Sequence, residues 1–359
     1  MTSLHKRRPM RRFLIAGVMT LAGLGGTAVP ALSQAKGSAE AAAATFVNPK
    51  WAAPKLAWGH PDLEGIWTSD DMRGVPMARP AQYGTRRNLT DQEFAARARE
   101  RADARKLDNA RTGTFRNEEG SRDFGYTSMI IEPADGRMPA LTAEARTRPA
   151  PRGTAGVGPF NTIDDFSLWD RCITRGLAGS WLPVVYGNGT RIMQTPDTVI
   201  IAHEMVHEAR VIPLDGRPHV GAGLRQMMGD SRGHWEGNTL VVETTNFTDR
   251  IAANGGGVRF SEAMKTTERF TRIDPQMIEF EIRVEDPKTY VAPWTLRMTL
   301  TSQPGYEIYE YGCHEGNRSV ANSLSGEREY GRQAAENARK GLPPPERVFE
   351  KVNGEDRGR

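Results

Sequence analysis

What the chain has little of narrows its class first. No apolar run approaches the roughly 20 residues that a membrane-spanning helix needs. The run from Phe13 to about Gly26 is short and diluted by glycine and threonine, so stable membrane insertion is not expected. Neither a phosphate loop nor a dinucleotide fingerprint stands out. Cysteine is used only twice in 359 residues, at Cys172 and Cys313. An excess of either charge is also missing once the first residues are set aside. The full chain carries 48 basic and 44 acidic residues, but residues 1–35 hold five basic and no acidic ones, which leaves 43 against 44. The apparent pI of 9.1 therefore belongs largely to the first segment. It gives no ground for nucleic acid or an anionic membrane as a partner.

What is there at the start reads as an address. Lys6, Arg7, Arg8, Arg11 and Arg12 form a basic region, Phe13 to about Gly26 an apolar core, and Ser33-Gln34-Ala35 a small-residue cleavage site. This is the pattern of an export signal over 1–35. Arg11-Arg12-Phe13-Leu14 resembles a twin-arginine signal without its usual spacer residue, so the general-secretion route stays equally open. A bacterial periplasmic or secreted protein is expected. In such a compartment an even cysteine count invites a Cys172–Cys313 disulfide, worth about 3–5 kcal/mol for a loop of about 140 residues. Two separate buried thiols are the alternative.

The sharpest motif is His203-Glu204-Met205-Val206-His207, which spells the zinc-peptidase pattern H-E-x-x-H. On a helix, residues i and i+4 lie about 6 Å apart on one face and can share a zinc. On a strand they lie about 13 Å apart, too far for one ion with bonds of about 2 Å. The run Thr198 to Pro213 is rich in β-branched residues, opens at Pro196-Asp197 and closes at Pro213 before Asp215-Gly216. It is read as one strand, with Val199, Ile201, His203, Met205, His207, Ala209 and Val211 on one face. Glu208 after the second histidine and Arg210 where the extended motif has glycine also depart from the zinc pattern.

Along the rest of the chain, 36–57 is an Ala- and Pro-rich linker, and Gly65-Ile66-Trp67 opens a strand. Thr90-Asp91-Gln92-Glu93 forms a capping box before a helix to about Leu107. Residues 108–160 carry little periodicity and read as a covering loop or irregular packing. From Ser180 the pattern turns to β: 239–247, 265–272, 278–284, 294–300 and 306–311 alternate apolar with polar residues between short turns. A helix from about Gly326 to Lys340 stops at Gly341 with Pro343 beyond. The expected fold is mainly β. An antiparallel meander over 58–325 closes into a barrel, a helical and loop insertion occupies about 70–160, and a C-terminal helix and tail fill 326–359.

Gly65-Ile66-Trp67 resembles the Gly-x-Trp signature of lipocalin-like (calycin) barrels. A broader resemblance rests on 61–67, Trp169-Asp170-Arg171-Cys172, Ala209 to His219, Gly229 to Phe247 and Tyr309 to Asn317. These segments are similar to a large family of exported bacterial proteins of unassigned function, and they imply no reaction.

A barrel lumen is the expected pocket, concave and largely apolar with a few polar groups. His203 and His207 would face it, and histidine moves protons near neutrality. Asp215, His219, Asp230, Arg232 and His234 supply further polar candidates, and His314-Glu315-Gly316-Asn317 forms a third polar cluster beside Cys313. The leading expectation is a cofactor-independent lyase, isomerase or hydrolase acting on a small aromatic, terpenoid or sugar-like compound. Trp181, Trp235 and Trp294 could line such a site or simply be core. A non-catalytic ligand carrier is the second reading. The third is a Zn2+ hydrolase with His203 and His207 as ligands, Glu204 as base and Glu236 or Glu243 as third ligand.

Overall fold

The computed structural model describes residues 51–112, 120, 122–148, 158–184, 186–251, 258–302 and 305–346. The expected export signal, residues 36–50 of the linker and the tail from 347 lie outside the described residues. Ten strands form one antiparallel sheet. They are β1 (Gly65–Thr68), β2 (Ile130–Glu132), β3 (Gly189–Gln194), β4 (Thr198–His203), β5 (Ala209–Pro213), β6 (Asp230–Glu236), β7 (Thr239–Thr245), β8 (Lys265–Asp274), β9 (Met277–Glu285) and β10 (Trp294–Thr301). The sheet order is β5-β4-β3-β1-β10-β9-β8-β7-β6, with β2 pairing onto β10 beside that path. β7 to β10 are strands of the expected meander, and β6, whose residues read in the sequence as a polar cluster before a strand, extends it by one. A second meander, β3 to β5, joins it through β1.

The strands form where the sequence alternates. In β9, Ile278, Phe280, Ile282 and Val284 are buried at 1% exposure or less, while Glu279, Glu281 and Arg283 face outward. Each such buried apolar side chain contributes about 1.5–3 kcal/mol. Gly237, at φ +60°, makes the two-residue loop that pairs Glu236 with Thr239. At the free ends of the sheet, β5 and β6 approach without ladder pairing, so the barrel is nearly closed. Ile212 and Leu214 pack there onto Gly233, where a Cβ would come within 2.7 Å of the Leu214 side chain. Glycine is what allows the two edges to meet.

The interior is filled. Trp67 from β1, Trp294 from β10, Phe270 from β8 and Phe280 from β9 point inward and are buried at 2% exposure or less. A short helix, α3 (Leu177–Trp181), adds Trp181, whose ring centroid lies 4.5 Å from Phe280 and 5.5 Å from Phe270. The expected lumen pocket is therefore a packed core of aromatic side chains.

Three other expectations change. The run 198–213 is two strands, not one. β4 ends at His203, a short 3-10 turn comes next with Val206 and His207 at positive φ, and β5 returns antiparallel to β4. The turn shifts the alternation by one residue, so Arg210 and Ile212 face inward while Val211 is 63% exposed. The segment 306–311 is not a strand. Its Tyr306 hydroxyl and Tyr309 amide donate instead to the Glu204 carboxylate. The C-terminal helix begins earlier than expected. α4 (Cys313–Gly316) leads directly into α5 (Arg318–Arg339), which stops before Gly341 at φ +68°.

The capping box holds as read. The Thr90 amide donates to Glu93 and the Glu93 amide to the Thr90 hydroxyl, opening α1 (Asp91–Thr112). α2 (Ala143–Thr147) lies in the 108–160 stretch, capped by the Thr142 hydroxyl. Cys172 and Cys313 are disulfide-bonded, and Asn317 donates to the Asp170 carbonyl at 2.6 Å, so the bond fastens the start of the C-terminal helices to the 163–176 loop. No helix among the described residues is long and apolar enough to cross a membrane.

Candidate functional site

The candidate residues separate into an interior layer, a surface cluster and a cleft. In the interior, pairing of β3 with β4 sets Thr190 opposite His203, and the Thr190 hydroxyl and His203 Nδ1 share a hydrogen bond of 3.0 Å. The Trp181 indole meets the imidazole edge-on at 4.8 Å. Burial, and then the charges of Arg210 and Arg175, hold the His203 pKa well below its usual 6.5. The ring is neutral at neutral pH, and its Nε2 is buried without a partner. Beside it Arg210 reaches across the interior to β8 and grips Glu268 with two hydrogen bonds of 2.6 and 2.9 Å. Trp181 Nε1 donates to the same carboxylate at 2.9 Å. A single strand over 198–213 would put Arg210 on the outer face. Only the turn after β4 brings it inward.

His203 and His207 do not share a site. His203 closes a strand inside the barrel, whereas His207 sits exposed in the turn. Glu204 is occupied by Tyr306 and Tyr309. Glu236, the alternative third ligand, pairs with His234 and Arg269 near the β6 end, and Glu243 is exposed on β7. The pentapeptide is thus not a helix that aligns its histidines. Among the described residues no three His, Cys, Asp or Glu side chains gather as a metal ion requires.

The turn and hairpin candidates resolve differently from one another. Asp215 holds Arg217 in an exposed turn and touches none of the other candidates. His219, Asp230 and Arg232 do come together. His219 Nδ1 lies 3.0 Å from Asp230 Oδ2, which also accepts the Val220 amide, and Arg232 donates to Asp230 Oδ1 at 2.7 Å. Burial alone would raise the Asp230 carboxyl, but the hydrogen bonds from Val220, Arg232 and His219 outweigh it, and its pKa is lowered. His234 stands apart, exposed and paired with Glu236 at 3.3 Å.

One further motif lies in the sequence. Gly229-Asp230-Ser231-Arg232-Gly233 spells G-x-S-x-G. A nucleophile elbow places its serine on a sharp turn between strand and helix. Here Ser231 lies within β6, buried, and its hydroxyl bonds Thr244 on the neighbouring strand at 2.9 Å.

The cleft is formed mainly by residues that carried no site assignment. About 290 Å³ in volume, it is lined by the 164–176 stretch, with Phe166, Trp169, Arg171 and Arg175, and by Arg250, Ile251 and Arg259 from the β7–β8 connection. The Arg175 guanidinium stacks over the Trp169 ring at 4.9 Å and donates to the Leu182 carbonyl, while its Nε–H is buried without a partner. Burial lowers its pKa to about 10, so it remains a cation at neutral pH. Thr174 donates to the Glu208 carboxylate, whose pKa burial raises. In the sequence, Trp169 and Arg171 stood out only through the family resemblance. Arg250 and Arg259 gave no local signal, because tertiary structure alone brings them to that loop.

No protein-family model matches the chain, and no curated protein or solved structure matches it either.

Proposed function

We propose that this chain is an exported protein that binds a small organic compound in the cleft beside the 163–176 loop, with the barrel as its rigid support. The observation that carries the reading is the contrast between two places. The barrel interior is occupied by its own tryptophans and phenylalanines, while the cleft combines aromatic side chains with a buried, partly unpartnered guanidinium. Its volume stands at the lower end of ligand sites, which run from about 300 to 1,000 Å³. The basic and apolar start of the chain and the disulfide support the export compartment.

The test is a thermal-shift screen of aromatic, terpenoid and sugar compounds, since a ligand that binds only the folded state raises Tm. At least one compound is expected to stabilise the wild type, Trp169→Ala to lose that response and His203→Gln to keep it. The reverse pattern would move the site into the barrel.

A second reading rests on the His219–Asp230 pair, a histidine oriented by a carboxylate as acid/base catalysts are. It predicts slow turnover of a bound compound that disappears in His219→Gln.

A further inference from the structure

The cleft lining is lopsided in charge. Arg171, Arg175, Arg250 and Arg259 face it, against the single carboxylate of Asp164, an excess of three positive charges. Asp164 is spoken for by Arg171 at 3.2 Å and is itself largely exposed. Glu208, close to Arg175, is held by the Thr174 hydroxyl. Arg250 is exposed. Most telling are two buried donors: the Nε–H groups of Arg175 and Arg259 both lack a partner. Leaving a buried donor unsatisfied costs about 1–3 kcal/mol, more for a charged group, and a fold offsets that cost readily when a ligand supplies the acceptor. Guanidinium groups present planar forks of donors that match carboxylate and phosphate oxygens in pairs. Arg175 is also pre-set by its stack on Trp169, so little freedom is lost when an anion docks.

Building on the ligand-binding reading, we propose that the cleft selects small organic anions. A carboxylate or phosphate monoester is gripped by Arg175 and Arg259, with an attached ring or short apolar body against Phe166 and Trp169. Arg171 and Arg250 add attraction at longer range. A free inorganic oxyanion would meet the same guanidinium groups but not the apolar wall, so the organic body adds affinity.

The experiment is isothermal titration of the full chain with matched probes: benzoate against benzamide, phenyl phosphate against phenol, and inorganic phosphate alone. Each is repeated in Arg259→Gln, in Arg175→Lys and at raised salt. At least one anion is expected to bind tenfold or more tightly than its neutral partner. Its affinity should fall about tenfold in both variants and weaken with salt. Arg259→Gln serves as the control for folding, because its Tm is expected not to fall below the wild-type value even if Arg175→Lys is destabilised. The carboxylate and phosphate arms separate the two kinds of anion, and tighter binding of phenyl phosphate than of inorganic phosphate supports the apolar wall. Equal affinity within both pairs, benzoate with benzamide and phenyl phosphate with phenol, overturns the anion assignment and leaves the cleft as a neutral-ligand site. Unchanged anion binding in Arg259→Gln also overturns it. No binding by any probe, joined to a flat thermal-shift screen, removes the cleft reading altogether.

Discussion

At the scale of single residues, position along a strand counts for less than the turn in which the strand ends. His203 and His207 look alike in the sequence, four residues apart, yet one is a neutral buried ring and the other an exposed turn residue. The buried ring has a measurable consequence. Unfolded, His203 titrates at its ordinary value near 6.5; folded, burial and the neighbouring arginines keep it neutral to a much lower pH. Below 6.5 the unfolded state therefore binds a proton that the folded state does not. Stability from this residue is complete above that pH and falls by about 1.4 kcal/mol per pH unit as acid is added. Urea titrations of the wild type from pH 7.5 to 5 are expected to show this slope, and His203→Gln a flatter one. Equal slopes would mean the imidazole is not held neutral. Asp230 acts at lower pH: its lowered pKa gives stability present above the unfolded value and lost as pH falls through the folded one.

At the scale of elements, the Arg210–Glu268 pair ties two strands that the sheet order leaves far apart, β5 at one edge and β8 two strands in from the other. Both side chains are almost wholly buried, at 3% and 0% exposure. Removing one partner strands a charge in the interior, and Glu268→Gln is expected to cost about 3–5 kcal/mol in chemical denaturation. The double change Arg210→Met with Glu268→Leu removes both charges and should cost less than either single change. If the double variant is as unstable as the sum of the singles, the pair is not acting as a unit. Element boundaries track local chemistry where it is strong: the Thr90–Glu93 box fixes the start of α1, and Gly341 the end of α5. Where an element depends on partners, the pattern misleads. Tyr306 to Tyr311 alternates like a strand, but Glu204 offers its side chain and backbone a different set of hydrogen bonds.

At the scale of the whole molecule, two contacts hold the barrel nearly closed, the Gly233 approach between edges and the interior ion pair, while the Cys172–Cys313 bond fastens the C-terminal helices to the 163–176 loop. The disulfide spans 141 residues, and the chain-entropy model gives about 4–5 kcal/mol for such a loop. Cys172→Ala with Cys313→Ala, or reduction, is expected to lower the denaturation midpoint correspondingly. The Asn317 side-chain amide, which donates to the Asp170 carbonyl beside the bond, should then exchange its protons faster. An unchanged midpoint would show that the C-terminal helices are held by packing alone.

The sequence by itself determined the mainly-β class, most of the strands of the meander, the first helix start and the last helix stop. Each of these is encoded in residues a few positions apart, where alternation and capping act locally. It also carried the disulfide partners, because two cysteines allow one intramolecular pairing. Only the tertiary structure decided which face of 198–213 lies inside, since one turn residue more or less inverts every side chain beyond it. Only the tertiary structure filled the lumen with Trp181 from a separate helix. The same holds for the cleft. Arg175 and Arg259 are 84 positions apart in the sequence, and the guanidinium groups become one site only after the barrel has brought their loops together.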